Sequence, residues 1–449
     1  MRLGKLQSWW RGKSLNLIIP KGVQRILSLL SKEGYEGYLV GGCIRDFQLG
    51  KEPKDWDITI NASVEDLIDI LKKEDAKMIP LGVKNGTIVV ILKGEWHEVT
   101  TFRKRKQSVY SNPLEEDLSL RDFTINAMAY HPDFGLIDPF GGREDLKEKV
   151  IRTVGEGEER FEEDPLRILR AVRLSIELDF IISSKTTEDM KSTKFLLEKV
   201  SKERIREELN KMLLCDQPSR GIRLLAKLEL LDYIIPELKK TIGFNQRNPH
   251  HNKDVFEHTM AVLDNTPRNL IVRLAALLHD IGKPNTFFIG KDGIGHFYNH
   301  QNVGREMARK ILKRLKYSRK TIDQISILIK EHMFHAPNIS SKGVRRFINR
   351  VGKENLEKFF QLQRADALGA KADNDITHID ELEQKCKDIL KESPAFTKKD
   401  LKISGYDLIR MGVPQGPEIG RILEDLLDKV LEDPGLNERE KLMEMVGRK

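Results

Sequence analysis

The stretch Leu39-Val40-Gly41-Gly42-Cys43-Ile44-Arg45-Asp46, followed by Lys54-Asp55-Trp56-Asp57-Ile58, constrains this chain more than any other. An apolar run that stops at two glycines predicts a strand, a tight turn and then a helix. Glycine lets backbone N–H groups approach a ligand closely, and a helix start favours anions, so such a turn can cradle a triphosphate. Asp55 and Asp57 are two residues apart, and on a strand that spacing turns both carboxylates to one face. Paired carboxylates suit Mg²⁺, and two such ions can clamp the attacking and leaving oxygens of a phosphoryl or nucleotidyl transfer. Neither a glycine pair nor D-x-D is specific alone; together at this spacing they are. The alternative is a turn leading into a solvent-facing edge strand.

Tyr38 to Val40, Trp56 to Ile60, Thr87 to Leu92 and Trp96 to Phe102 are short β-branched or aromatic runs. Turn residues flank them at Gly41-Gly42, Lys84-Asn85-Gly86 and Lys93-Gly94. They predict a small mixed sheet with helices at Val64 to Lys72 and Thr124 to Met128. After about Gly142 the strand signals stop and apolar residues recur at helical spacing, as at Leu166, Leu169, Val172 and Leu174, or Leu209, Met212 and Leu213. The fold class is α+β, with a mixed head and a nearly all-helical remainder. A chain of 449 residues is long enough for two to four domains. Breaks are expected at Thr153 to Gly157, Gly243 to Asn252 and around Asp373 to Ile376.

With 33% charged and 39% hydrophobic residues, the chain can bury real cores, which excludes wholesale disorder. Cys43, Cys215 and Cys386 are far apart and odd in number, arguing against a disulfide framework and fitting a reducing cytosol. Lys and Arg exceed Asp and Glu by 77 to 69, a net +8 that favours an anionic partner such as nucleic acid. The densest basic run is Arg103-Lys104-Arg105-Lys106. The opening MRLGKLQSWWRGKSLNLIIP lacks the continuous apolar core of a signal peptide, and no window reaches the ~18 apolar residues of a membrane span. A cytoplasmic protein is the expectation, with no membrane partner and no signal for oligomeric state.

GGCIRDFQLGKEPKDWDITI, then Arg121-Asp122-Phe123-Thr124-Ile125-Asn126-Ala127-Met128-Ala129, then Glu163-Asp164-Pro165-Leu166-Arg167-Ile168-Leu169-Arg170-Ala171-Val172-Arg173 stand in the order seen in a known family. The chain resembles the class II tRNA nucleotidyltransferases, the bacterial CCA-adding and poly(A) polymerase family, most closely over residues 36–245. The resemblance implies an N-terminal extension over 1–35, a polymerase-type head over 36–142, a helical neck and body over 143–245, an HD domain over 246–372 and an RNA-binding tail over 373–449. It implies that Gly41, Gly42 and Arg45 contact the triphosphate, that Asp55 and Asp57 hold Mg²⁺, and that Arg121, Asp122 and Asn126 meet the nucleotide. Glu163, Asp164 and Arg167 resemble the element that selects the incoming base. The implied substrates are the tRNA 3′ end, CTP and ATP.

Base selection also has a basis in the residues themselves. A carboxylate can accept from the exocyclic amino group of C or A, while a guanidinium donates to a neighbouring ring nitrogen or carbonyl. Asp164 and Arg167 can thus imitate a template base, and G and U present a carbonyl where C and A present the amino donor. Arg167, Arg170 and Arg173 recur every three residues on one helix face, which would line a path for phosphates, or form a solvated stripe paired with Glu162, Glu163 and Asp164. Glu98 is either a third catalytic carboxylate beside the Asp pair or an ordinary strand glutamate. Asp138-Pro139-Phe140-Gly141-Gly142 resembles the family's hinge, and a plain turn explains it as well.

Between Arg103 and Arg121 complete CCA-adding relatives carry a longer loop, and this chain has only RKRKQSVYSNPLEEDLSL. That shortening resembles enzymes that add CC alone. A poly(A) polymerase fits the stretch Leu81-Gly82-Val83-Lys84-Asn85-Gly86-Thr87 less well.

Downstream, His258, His279-Asp280 and Asp366, with His300 and His332 between them, reproduce the H…HD…D order of HD-domain phosphohydrolases. Imidazole and carboxylate suit a divalent metal such as Mg²⁺, Mn²⁺ or Ni²⁺. A second phosphohydrolase activity, or a domain kept for its shape, are the two readings. In the tail, Gly416-Pro417 before an apolar-periodic run predicts a helix start that could grip an RNA phosphate, or one arm of a structural hairpin. Two rival functions belong to other classes: a phosphohydrolase whose head only binds RNA, and an inactive RNA-binding module.

Overall fold

The computed structural model describes residues 18–72, 74, 76–82, 86–92, 94–103, 112–247, 253–291, 293–370, 375–392 and 396–447. The turn residues Lys84, Asn85 and Lys93, residues 104–111 of the short segment before Arg121 and the first seventeen residues lie outside them; the same segment ends in helix Pro113–Ser119. The chain forms two compact units, with the division between Glu208 and Leu209, inside the stretch 143–245 that the resemblance groups as neck and body.

The first unit is built on a seven-stranded sheet: β1 Gly37–Val40, β2 Asp57–Ile60, β3 Ala76–Gly82, β4 Thr87–Leu92, β5 Glu95–Thr101, β6 Ala129–His131 and β7 Gly135–Ile137, in the order β3-β4-β5-β2-β1-β6-β7. All neighbours are antiparallel except β2 and β5, which run parallel and set Asp57 opposite Glu98. Helix Lys21–Lys32 buries Val23, Ile26, Leu27 and Leu30. A Cβ on Gly37 would stand 2.8 Å from Leu27 and 3.0 Å from Leu30, so that glycine lets the helix lie close on β1. Ser63 starts helix Val64–Leu71 with a capping box to Asp66.

The four expected strands are present, and β3, β6 and β7 were not anticipated. Thr124 to Met128 is not a helix: Thr124–Asn126 makes one 3₁₀ turn and β6 follows at Ala129. Strand structure also continues past Gly142, as two-residue pairs of Val150–Ile151 with Ile181–Ile182 and Phe288–Ile289 with Gly295–His296. The Asp138 segment is a tight turn in which the Asp138 carboxylate accepts from the amides of Gly142 and Arg143. Gly142 packs so closely that a Cβ would come within 2.3 Å of the Thr124 carbonyl oxygen. Helix Leu166–Leu178 then turns Leu166, Ile168, Leu169, Ala171, Val172 and Leu174 into the core.

The second unit is helical. Helices Val255–Asp264, Leu270–Leu278, His300–Arg314, Arg319–Glu331 and Leu356–Ala370 converge on one cluster of histidines. Gly369 allows close crossing of two of them, since a Cβ there would meet Val262 at 2.6 Å. Gly282 does the same for the turn after Asp280, where a Cβ would stand 2.4 Å from the His300 carbonyl oxygen. In the tail a helix begins at Pro417 and runs to Glu432. Among the described residues no helix is long and apolar enough to cross a membrane.

Candidate active site

In the first unit β1 ends at Val40, and Gly41 takes φ 78° and ψ −135°, a conformation that side chains disfavour. A Cβ there would stand 3.0 Å from an Arg121 guanidinium nitrogen and 3.5 Å from an Asp57 carboxylate oxygen. Helix Gly42–Gln48 follows directly. Asp57 opens β2 and is paired with Val40 on one side and Glu98 on the other, so it sits between the glycine turn and a second carboxylate. Burial, then the Glu98 charge, push the Asp57 carboxyl up to about 6. Asp55 is not on the strand: it lies exposed in the bend before it, because β2 begins only at Asp57. Alternation along a strand therefore does not place Asp55.

Gly41, Gly42, Arg45, Asp57, Arg121, Asp122, Asn126, Asp164, Arg167 and Arg170 line one cavity of about 370 Å³, together with Arg103. Glu98 lines an adjoining cavity of about 400 Å³ that shares Asp57, Arg103 and Arg121. A run of polar contacts ties the first cavity together. Arg45 donates to the Asn126 side-chain amide oxygen Oδ1 at 2.9 Å, the Asn126 amide nitrogen Nδ2 donates to Asp122 at 3.0 Å, and Arg170 donates to the other Asp122 oxygen at 2.8 Å. Burial opposes the Asp122 charge, but Arg170 and Asn126 outweigh it and hold the carboxyl at about 2. Arg167 is held by the Leu120 carbonyl at 2.9 Å and by Glu163 at 3.1 Å.

Of the residues expected to bind the nucleotide, Glu163 and Arg173 do not line the cavity, and among the expected metal ligands Asp55 does not. Glu163 pairs with Arg160 at 2.6 Å as well as with Arg167. Arg173 pairs with Glu208 at 2.7 Å and Glu177 at 2.5 Å. A three-residue spacing drifts about 60° per step on an α-helix, so Arg173 lies about 120° around from Arg167 and the three arginines form no single track.

Asp117 and Arg204, which sequence reasoning passed over, and Arg103, read there only as the start of a basic run, complete the site. Asp117 is fully buried and accepts from the Arg103 amide at 3.1 Å, from the Arg103 side chain at 2.9 Å and from Arg121 at 3.3 Å. Burial pulls its carboxyl upward, and the two arginines more than offset that. Arg103 lines both cavities, and Arg204 forks onto Asp164 at 3.0 and 2.8 Å. The buried Arg121 Nε has no hydrogen-bond partner among the described residues, a donor left over for an anion.

The second unit brings all six of its predicted ligands together. His258, His279, Asp280, His300 and His332 are buried, and Asp366 is partly exposed at the rim. His258 Nε2 lies 3.0 Å from Asp366 and 3.4 Å from His279 Nε2. His300 and His332 face each other at 3.4 Å through their Nε2 atoms. Burial disfavours charge on His279, yet Asp280 and Asp366 raise it to about 9; burial, then the His279 charge, drop His332 to about 4. All of these ligands except His279 border a cavity of about 450 Å³.

Known proteins share this architecture. Residues 37–152 match the Poly A polymerase head domain, 179–242 the probable RNA and SrmB-binding site of polymerase A, and 294–446 tRNA nucleotidyltransferase domain 2. A CCA-adding enzyme of Streptococcus thermophilus is 30% identical over 95% of this chain and 97% of its own length. An A-adding tRNA nucleotidyltransferase of Deinococcus radiodurans is 33% identical over 87% of this chain and 90% of its own. The crystal structure of the Bacillus stearothermophilus CCA-adding enzyme in complex with CTP superposes with a TM-score of 0.70 at 28% identity, covering 95% of this chain and 98% of that one. Matched nearly end to end by these relatives, the chain belongs to the tRNA nucleotidyltransferase family of the CCA-adding and A-adding enzymes.

Proposed function

We propose that this protein is a template-independent tRNA 3′-end nucleotidyltransferase that adds C and A from CTP and ATP and releases pyrophosphate. The observation that carries the reading is the single cavity in which the Gly41-Gly42 turn, Asp57 and the Asp164-Arg167 pair meet. The turn and the arginines Arg45 and Arg121 bind the triphosphate, Asp164 and Arg167 read the amino-bearing edge shared by C and A, and Asp122 holds Arg170 in place. The tRNA 3′-oxygen forms a bond to the α-phosphorus as the bond to pyrophosphate breaks, and the hydroxyl proton passes to solvent water. Asp55, Asp57 and Glu98 supply the oxygen ligands that Mg²⁺ prefers, and the neighbouring Asp57 and Glu98 charges are a pair that a cation relieves. Mg²⁺ held there would lower the hydroxyl pKa and neutralise the leaving group. The family is metal-dependent, and the choice of Mg²⁺ rests on this ligand set.

Full CCA addition is favoured over CC alone by a relative named for CCA addition that spans 95% of the chain. A-only addition is the second reading, supported by the A-adding relative at 33% identity. Replacing Arg167 with Ala tests the base-reading role: discrimination against GTP and UTP should collapse, whereas equal slowing for all four nucleotides would make Arg167 a phosphate contact.

We further infer that the cluster in the second unit binds a divalent metal such as Mn²⁺, Ni²⁺ or Mg²⁺ and hydrolyses a phosphoester. Its support is the convergence of four imidazoles and two carboxylates from five helices and the turns that end them. The division into head (36–142), neck and body (143–245), HD domain (246–372) and tail (373–449) is proposed with it. A tRNA substrate would put the protein in the cytoplasm.

A further inference from the structure

Strand β5 shows one side to a helix and the other to solvent. His97 and Val99 are buried, and a Cβ on Gly22 of helix Lys21–Lys32 would stand 2.6 Å from His97 Nε2, so that helix lies over this side. The alternate residues Trp96 and Glu98 point the other way, to the side on which Asp57 stands opposite Glu98. Trp96 is 65% exposed, an open position for a side chain that is mostly buried in folded proteins. Pairing extends the surface away from Glu98: Ile91 lies opposite Trp96, Lys77 opposite Ile91, and Ile79 opposite Val89. Ile91 is half-buried, Lys77 is exposed and Ile79 is 40% exposed. Trp96, Ile91 and Ile79 form an apolar shelf edged by the Lys77 ammonium and continuous with the catalytic carboxylates.

The order of strands fixes which way a substrate must lie across this face. Gly41 and Gly42 follow β1, Asp57 is on β2 and Glu98 on β5, and the order β4-β5-β2-β1 puts them in one row. Strands lie about 4.8 Å apart, so the row from the glycine turn to Glu98 spans about 10 Å. In phosphoryl transfer the attacking and leaving oxygens stand roughly in line through phosphorus. With pyrophosphate leaving at the β1 end, the attacking hydroxyl approaches from the β5 and β4 end. That end carries Trp96, about 6.8 Å along β5 from Glu98 and so within one nucleotide's reach of the reacting oxygen.

We propose that Trp96 is the stacking platform for an unpaired base at the 3′ end of the tRNA acceptor strand, with Lys77 beside the strand's phosphates. The inference rests on the nucleotidyltransferase reading above and adds an acceptor subsite to it. Chemistry favours an aromatic face at this place. Each addition changes the base at the reacting end, so a hydrogen-bonding pocket shaped for one base would reject the next, whereas an indole stacks on any of them. Lys77 supplies a point charge that a flexible backbone meets without fixed geometry. Discrimination stays with the incoming nucleotide: Asp164 and Arg167 line the cavity that holds Gly41 and Gly42, and neither Trp96 nor Ile79 lines it.

The test uses the full chain as Trp96→Ala and Trp96→Phe, with CTP, ATP and tRNAs lacking their last three nucleotides or the last one alone. Trp96→Ala should raise KM for tRNA about tenfold and leave KM for the nucleotide within about twofold, and Trp96→Phe should recover most of the loss. The tenfold factor should hold between about 50 and 200 mM salt, because stacking releases no counterions, whereas the loss in Lys77→Ala should shrink as salt rises. Far-UV circular dichroism and Tm should match wild type. An unchanged KM for tRNA in Trp96→Ala, an equal rise in KM for the nucleotide, or no recovery with phenylalanine would overturn the platform while wild-type incorporation keeps the nucleotidyltransferase reading standing. A wild-type dimer that Trp96→Ala converts to monomer in sedimentation would overturn it in favour of a contact between two copies of the chain. No incorporation by the wild type on either tRNA would overturn both readings.

Discussion

Arg204 holds Asp164 through two parallel hydrogen bonds, Nη1 to Oδ1 at 3.0 Å and Nη2 to Oδ2 at 2.8 Å. The carboxylate proposed to read the incoming base is therefore aimed by a residue from a neighbouring helix. A carboxylate has about four acceptor positions; the arginine fork uses two and the Leu166 amide, at 3.2 Å, a third, which leaves one for an amino group. Arg204→Ala should lower the preference for CTP and ATP over GTP and UTP by about tenfold. Arg204→Lys should restore only part of it, since an ammonium cannot fork. Relative kcat/KM for the four nucleotides checks this; unchanged discrimination in Arg204→Ala would remove Arg204 from the selection apparatus.

The Asp57 carboxyl is raised to about 6 from an ordinary 3.8 by burial and by Glu98. The protonated form is the one the fold favours, so its stabilising contribution is present at low pH and is lost as pH rises through about 6. In metal-free protein Asp57→Asn should melt a few degrees above wild type at pH 7.5, corresponding to roughly 1–2 kcal/mol, and at the same temperature near pH 4. Mg²⁺ should raise the wild-type Tm at pH 7.5 and lose that effect below pH 6. Calorimetry across this range decides it, and a Mg²⁺ shift that persists at pH 5 would place the ion elsewhere.

Asp117 neutralises two arginines from a position with no solvent exposure. Asp117→Ala leaves Arg103 and Arg121 without that partner and should cost about 3 kcal/mol. The unfolding transition of the first unit should shift to lower denaturant, and KM for nucleotide should rise because Arg121 loses its orientation. A loss of stability with unchanged KM would confine Asp117 to a structural role.

Arg170 and Arg173 have the same sequence spacing and different surroundings. Arg170 lines the cavity and pairs with Asp122, whereas Arg173 pairs with Glu208 and Glu177. Arg170→Ala should reduce incorporation by tenfold or more, and Arg173→Ala should stay within about threefold while lowering Tm. Equal losses would restore the continuous phosphate path along the helix.

What was legible in the sequence followed from local rules. The glycine turn, the strands around Asp57 and the start of the helix at Pro417 depend on neighbours a few residues away, and periodicity reads such neighbours. Strand β3 was missed because Pro80 lacks an amide donor and breaks the pattern; it is tolerated there because β3 is the sheet edge. Thr124 to Met128 has an apolar spacing that suits a helix, but pairing of β6 with β1 and β7 pulls its end into the sheet. Glu98 could not be assigned from its own surroundings, since its meeting with Asp57 depends on the parallel pairing of β5 with β2. Asp117 and Arg204 read as ordinary helix charges, and only burial and a partner 40 residues away from Arg204 mark them. His300 and His332 were named from the sequence alongside the H…HD…D order, but their meeting at 3.4 Å depends on the packing of helix ends, which lies beyond any spacing rule.

The measurement that tests the central claim most directly is sequencing of the products formed on a tRNA lacking its last three nucleotides, with CTP and ATP supplied together and singly. Two C residues and then one A should appear with both nucleotides, two C residues with CTP alone, and nothing with Asp57→Ala. Arrest after CC when ATP is present, or addition of A only to a tRNA already ending in CC, would contradict full CCA addition, and no incorporation by the wild type would contradict the nucleotidyltransferase itself.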